Sequence, residues 1–248
     1  VLLLAAPLAA QKKPFTVEKL LALDRLSDPQ VSPDGRTVLF TVMSPDLAKN
    51  ARPTQIWAAP LEGGEPRPVT RDVTREGTRN TRPRWSPDGR RIAFLSNRGG
   101  SQQIWLMDAA GNNARQLTDV PTEADGVMWS PDGRYLLFTS AVYPACSDMA
   151  CNQQRQQEQA KNPVAAKVFT GLLYRHWNAY GYGRRSHLFA LPVAGGAPLD
   201  LTPGEYDVPP FSLGGPDEYA VSPDSREVAY TANLDPVAAT TTLYRDEA

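Results

Sequence analysis

The chain has 248 residues, of which 41% are hydrophobic and 8% aromatic, enough for one large folded domain and too apolar for a disordered segment. Its 26 basic and 27 acidic side chains leave a net charge of −1, which excludes a global attraction to nucleic acid or to an anionic membrane surface.

The first eleven residues, Val1-Leu2-Leu3-Leu4-Ala5-Ala6-Pro7-Leu8-Ala9-Ala10-Gln11, read as the tail of a secretory signal peptide, an apolar core followed by small residues. They are too few for a membrane span. A buried N-terminal strand is the other reading. With no initiator methionine or basic region ahead of them, they predict a chain truncated at this end. Residues 12–30 are expected to be a helical lead-in. Thr16 can cap a short helix that puts Val17, Leu20 and Leu21 on one face with Glu18 in its first turn, a helix expected to pack on the edge of the following domain.

From there the chain repeats itself. Val31-Ser32-Pro33-Asp34-Gly35-Arg36, Trp85-Ser86-Pro87-Asp88-Gly89-Arg90, Trp129-Ser130-Pro131-Asp132-Gly133-Arg134 and Val221-Ser222-Pro223-Asp224-Ser225-Arg226 each precede a short apolar run. Ser, Pro and Gly in this order suit a type I turn that closes a hairpin. A second pattern follows three of them: Gln55-Ile56-Trp57 to Val69-Thr70, Gln103-Ile104-Trp105 to Leu117-Thr118, and His187-Leu188-Phe189 to Leu201-Thr202. Gly63-Gly64, Gly111-Asn112 and Gly195-Gly196 supply the tight turns between their halves. Four short antiparallel strands at a spacing of 44 residues, Ser86 to Ser130, predict an all-β fold, a β-propeller of four-stranded blades. The blades are placed at about 31–70, 85–118 and 127–202, the third interrupted by an insertion at 141–186, with an incomplete fourth at 219–248. Closed propellers have about four to eight blades, so further sequence is expected beyond Ala248.

The arginine-rich run from Arg67 to Arg91 carries Arg82 and Arg84, is preceded by Glu65 and is broken by Asp72, Glu76 and Asp88. It reads as a solvated loop between blades, an anionic-ligand surface being the alternative. The only cysteines, Cys146 and Cys151, open the insertion; in an oxidising compartment they are expected to form a disulfide, free thiols being the alternative. A polar run from Asn152 to Asn162 reads as an exposed helix, and an aromatic cluster from Tyr174 to Arg185 closes the insertion. Trp177 and Tyr180 as apolar walls, with Asn178 as a hydrogen-bonding group, are the candidate substrate-binding residues; packing of the insertion on its own blade is the competing reading.

No self-contained catalytic set is present in the sequence. There is no G-x-S-x-G elbow, and the two histidines are His176 and His187, the latter at the strand position held by Gln55 and Gln103 in the other repeats and therefore expected to be structural. Metal-ligand clusters, phosphate loops and cofactor motifs are also missing from the sequence, so no metal and no cofactor is assigned.

Three features resemble the N-terminal propeller of prolyl-oligopeptidase-family (S9) serine peptidases, in the branch of acylaminoacyl peptidases and bacterial dipeptidyl peptidases. They are the lead-in from Leu20 to Gly35, the Trp-Ser-Pro-Asp-Gly-Arg hairpins, which Tol-type periplasmic propellers share, and Tyr174-Arg175-His176-Trp177-Asn178 with Gly183-Arg184-Arg185-Ser186-His187-Leu188-Phe189. The family segment usually reads His-Trp-Asp, and Asn178 stands where that aspartate would be, without its charge.

The resemblance implies a propeller of about seven blades stacked on a C-terminal α/β-hydrolase domain of the same chain, which would carry Ser, Asp and His in that order. No catalytic residue falls within these 248. Short peptides would be the substrate, a carboxylate among Glu205, Asp207 and Glu218 could hold a peptide α-amine, and a homodimer is compatible with the family. The expected function is a substrate-gating propeller of a periplasmic or secreted peptidase that releases dipeptides or acyl-amino acids. The alternative is a stand-alone Tol-type propeller acting through protein partners.

Overall fold

A computed structural model describes residues 14–70, 77–164, 166, 168–169, 175–176, 179–210, 215–232 and 234. The order of elements is helix α1 (Val17–Ala22), then strands β1 (Arg25–Val31), β2 (Thr37–Met43), β3 (Thr54–Pro60), β4 (Arg67–Pro68), β5 (Asn80–Trp85), β6 (Arg91–Ser96), β7 (Gln103–Asp108), β8 (Arg115–Gln116), β9 (Asp125–Trp129) and β10 (Tyr135–Val142). Helix α2 (Met149–Lys161) follows, with β11 (Arg175–His176), β12 (Ala179–Tyr180), β13 (Arg185–Pro192), β14 (Leu199–Asp200), β15 (Tyr219–Val221) and β16 (Val228–Tyr230).

Three antiparallel four-stranded sheets result, β1-β2-β3-β4, β5-β6-β7-β8 and β9-β10-β13-β14, and a hairpin β15-β16 follows them. The first strands β1, β5 and β9 touch one another across successive sheets, whereas β4 and β8 make no comparable contact. The sheets therefore radiate from their first strands, as propeller blades do. The fold is a β-propeller.

Each blade is closed by the same hydrogen-bonded turn. The Ser32 hydroxyl donates to the Asp34 carboxylate at 2.6 Å and accepts the Thr37 N–H at 2.9 Å. The same pair of bonds recurs at Ser86, Ser130 and Ser222. The Ser hydroxyl, followed by a backbone N–H two residues on, holds Asp34, Asp88, Asp132 and Asp224 below the usual carboxylate range. Gly35, Gly89 and Gly133 adopt φ of +71°, +68° and +69°, a conformation that costs glycine nothing, and Ser225 takes +60° at the same place. Successive turns also stack: Gly89 lies against Pro33 and Gly133 against Pro87, and the Ser225 hydroxyl accepts the Asp132 N–H at 3.0 Å. The fourth hairpin thus rests directly on the third blade.

The threonine of the second pattern has an equally regular role. Thr70, Thr118 and Thr202 accept the N–H of Ile56, Ile104 and Leu188 at 3.0, 2.8 and 2.9 Å, fixing the end of each blade to its third strand. Strand alternation then divides the core. Ile92 and Phe94 of β6 face Leu39, Ile56 and Val69 of the first blade, while Ala93 and Leu95 face Leu136 and Phe138 of the third. Leu137 and Leu188 turn the other way, toward Val208 and Tyr219. Ile92, Ala93, Phe94 and Leu95 are fully buried or nearly so, which makes the second blade the best covered.

Two sequence expectations need correction. The lead-in of residues 12–30 is helical only over Val17–Ala22, and Arg25–Val31 is the first strand of the first blade. Asp28-Pro29 and Arg82-Pro83 sit in bulged first strands whose register shifts, so these strands lack the alternation that marks a strand in sequence. For the same reason the second and third blades begin at Asn80 and Asp125, upstream of the expected 85 and 127. Thr16 does cap α1, accepting the Lys19 N–H, but Val17, Leu20 and Leu21 are 66%, 49% and 45% exposed, so the helix does not pack on the propeller edge.

Candidate functional site

The insertion leaves the third blade between β10 and β13, which pair without interruption from Tyr135↔Pro192 to Val142↔Arg185. A disulfide joins Cys146 and Cys151, with Cα atoms 5.4 Å apart. It lies at the start of α2, where the Asp148 side chain accepts the Cys151 N–H at 2.8 Å as the cap. Buried Asn152 ties the helix to the blade, accepting the Tyr143 N–H at 2.8 Å and donating to the Asp148 carbonyl. The Tyr143 hydroxyl donates to Gln159 at 3.0 Å, two turns further along the same helical face. A helix with such a weak apolar face stands because these few polar contacts position it.

Of the three candidate substrate-binding residues, Trp177 and Asn178 lie outside the described residues. Tyr180 is half-buried and stacks on Phe169, with ring centroids 5.5 Å apart and planes 4° from parallel; Tyr182 leans against it at 6.0 Å. Beside these rings, α2 and the turn before β13 enclose a groove of about 670 Å³. Its walls include Gln156, Gln159, Asn162, Phe169, Tyr182 and Arg184. Tyr180 is not among the lining residues; it backs Phe169.

His187, by contrast, is 2% exposed and binds on both sides, Nδ1 to Asp200 at 2.7 Å and Nε2 to the Gly204 carbonyl at 2.9 Å. A carbonyl only accepts, so Nε2 carries a proton. Burial would lower the imidazole's pKa, but the Asp200 hydrogen bond and charge and the Gly204 carbonyl outweigh it, and the net shift is upward. Gln103 occupies the same position one blade earlier, donating to the Val120 carbonyl and accepting from Thr118 and the Val120 N–H. His187 is a blade tie, not a catalytic base.

The carboxylate candidates separate clearly. Asp207 binds Arg185 at 3.1 Å and accepts the Ser186 N–H at 2.8 Å, so it is a strap across the blade rather than an open amine site. Glu205 is exposed and Glu218 half-buried.

A second cluster escaped the sequence reading. On the axis side, Arg84 binds Asp28 through Nη1 at 2.9 and 2.8 Å and Asp217 through Nη2 at 3.3 Å. Arg82 binds the same Asp217 at 3.0 Å and Asp125 at 3.1 Å. Asp28, Arg84, Asp217, Arg82 and Asp125 thus alternate in charge across four successive units. Arg82 and Arg84, expected to be solvated loop residues, are 27% and 14% exposed in β5. The signal was a fixed offset: Asp28, Arg82 and Gly126 each stand four residues before the serine of a turn, and all three have positive φ. Gly126 is required there, because a Cβ would lie 2.1 Å from the Pro216 carbonyl oxygen. The Gly126 carbonyl in turn accepts the hydroxyl of Tyr219, whose pKa burial pushes up.

The sequence profile described as "TolB beta propeller domain" matches residues 22–160, more than half of the chain. The chain belongs to this family. Its relatives include peptidases: "Dipeptidyl-peptidase 5" of Porphyromonas endodontalis is 27% identical over 90% of this chain and 31% of its own length. "Uncharacterized peptidase YuxL" of Bacillus subtilis is 31% identical over 90% of this chain and 32% of its own. This propeller therefore spans about a third of the length of these relatives. Among solved structures, an acylaminoacyl peptidase of Pyrococcus horikoshii superposes with a TM-score of 0.53 at 18% identity, over 76% of this chain and 26% of that one. That likeness concerns the fold. The resemblance to prolyl-oligopeptidase-family propellers stands on the sequence relatives, whose matches extend past the profile and across the insertion.

Proposed function

We propose that this propeller is the substrate-gating, non-catalytic part of an exported serine peptidase of the prolyl-oligopeptidase family. The observation that carries the reading is the sequence match of 90% of the chain, insertion included, to proteins named as peptidases. A Ser, Asp and His on an α/β-hydrolase domain of the same protein would do the chemistry, with the serine attacking the scissile carbonyl and the histidine moving its proton. The propeller would exclude folded proteins and admit short peptides, from whose N-terminus dipeptides or acyl-amino acids are released. Export is supported by the apolar stretch before Gln11 and by the bonded cysteines, since disulfides persist in oxidising compartments. Among the described residues no helix is long and apolar enough to cross a membrane.

The test is to express the complete reading frame that contains this chain, label it with a fluorophosphonate, and assay dipeptidyl and acyl-peptide amides. Labelling of one serine together with release of dipeptide or acyl-amino acid supports the proposal. A product without a reactive serine overturns it and leaves a propeller that acts through protein partners.

A further inference from the structure

The insertion groove has one-sided electrostatics. Among the described residues lining it, Arg184 is the only charged one, and none is Asp or Glu. Its neighbour Arg185 is neutralised by Asp207 at 3.1 Å, but the Arg184 Nε is shielded from solvent and has no hydrogen-bond partner. A desolvated guanidinium nitrogen without an acceptor is costly, and the planar fork of arginine matches a carboxylate.

Arg184 is also held in place. It ends a tight turn in which its N–H donates to the Gly181 carbonyl at 3.1 Å, with Tyr182 and Gly183 at φ of +54° and +73°, and the next residue begins the fully paired strand β13. Around it, Phe169 and Tyr182 give an apolar wall, and Gln159, whose Oε1 accepts from Tyr143, can turn its amide nitrogen toward the groove. Aromatic surface, side-chain amides and a fixed arginine together suit an extended peptide that ends in negative charge.

We propose that this groove binds the carboxylate of a short apolar peptide, with Arg184 as its ionic partner and Phe169 and Tyr182 as the wall for the adjoining side chains. The proposal rests on the peptide-gating reading above and names the part of the peptide that the insertion recognises.

Fluorescence anisotropy with the intact protein tests it, using fluorescein-capped Ala-Val-Phe-Val as the free acid and as the C-terminal amide. Prior treatment of the protein with the fluorophosphonate keeps removal of dipeptides or acyl-amino acids from consuming the probe. The acid should bind at least about tenfold more tightly than the amide, as a charge-assisted pair implies. Arg184→Gln should abolish that difference, and Arg184→Lys should retain part of it. Equal binding of acid and amide by the unaltered protein overturns the proposal without reference to any variant. So does a difference that survives Arg184→Gln. An amidated probe with glutamate at the last position separates the two carboxylate sources: affinity like the acid's assigns a side-chain carboxylate, and affinity like the amide's assigns the chain terminus. Because the readout is binding, a protein that discriminates acid from amide yet hydrolyses nothing would sink the peptidase reading and leave the groove standing.

Discussion

His187 shows how one side chain carries a condition-dependent contribution. Its pKa is raised on folding, so the protonated, doubly bonded form stabilises the blade below the unfolded value of about 6.5, and that stabilisation is lost as pH rises through the higher folded value. Denaturant midpoints measured from pH 5.5 to 8.5 should therefore fall across this window, and His187→Gln, which copies the residue at Gln103, should flatten the profile. The turn glycines make a different demand. Gly89 has room for a Cβ, with Pro33 the nearest neighbour at 3.6 Å, so Gly89→Ala should cost only the left-handed backbone penalty, about 1 kcal/mol in a thermal melt. Gly126 combines that penalty with a direct clash against Pro216, and Gly126→Ala should cost about 3 kcal/mol or more in the same melt.

At the scale of elements, the axis-side ion chain joins first strands that have little regular alternation to hold them. Arg84 touches two carboxylates at 14% exposure, so Arg84→Met should cost about 2 kcal/mol in urea unfolding, between an exposed pair and a fully buried one. A cost near zero would show that the cluster is solvated in practice. These first strands are also where sequence reading was weakest. The turns were legible because Ser, Pro, Asp and Gly each do a local job at fixed spacing, and β2, β6 and β10 were legible from their apolar runs. Asp28-Pro29 and Arg82-Pro83 look like loop residues because bulging, not alternation, defines their strands. The disagreement at α1 has a related cause: an apolar stripe states what a helix can bury, but nothing local states what covers it. Of the candidate site, Tyr180 was expected from sequence as an apolar wall and instead backs Phe169 without lining the groove, whereas Arg184 carried no signal in sequence, since only folding sets it apart from the paired Arg185.

For the molecule as a whole, stability should be distributed by neighbour contacts, because each apolar cluster lies between two successive sheets. Hydrogen exchange should be slowest in β6, covered on both faces, and faster in the short edge strands β4 and β8, where Arg67, Arg115 and Gln116 are exposed. Uniform protection across the sheets would contradict this picture. The stacking of successive turns has one more consequence. Gly89 meets Pro33 as Gly133 meets Pro87, so the second unit presents forward, through Pro87, the surface that it received from behind at Gly89. A segment of gene encoding one such unit, copied in tandem, would arrive already fitted to both of its new neighbours. A propeller built this way would lengthen by duplication without first inventing an interface, and Ser225, at a glycine position, keeps the turn and meets the third blade through the Asp132 N–H.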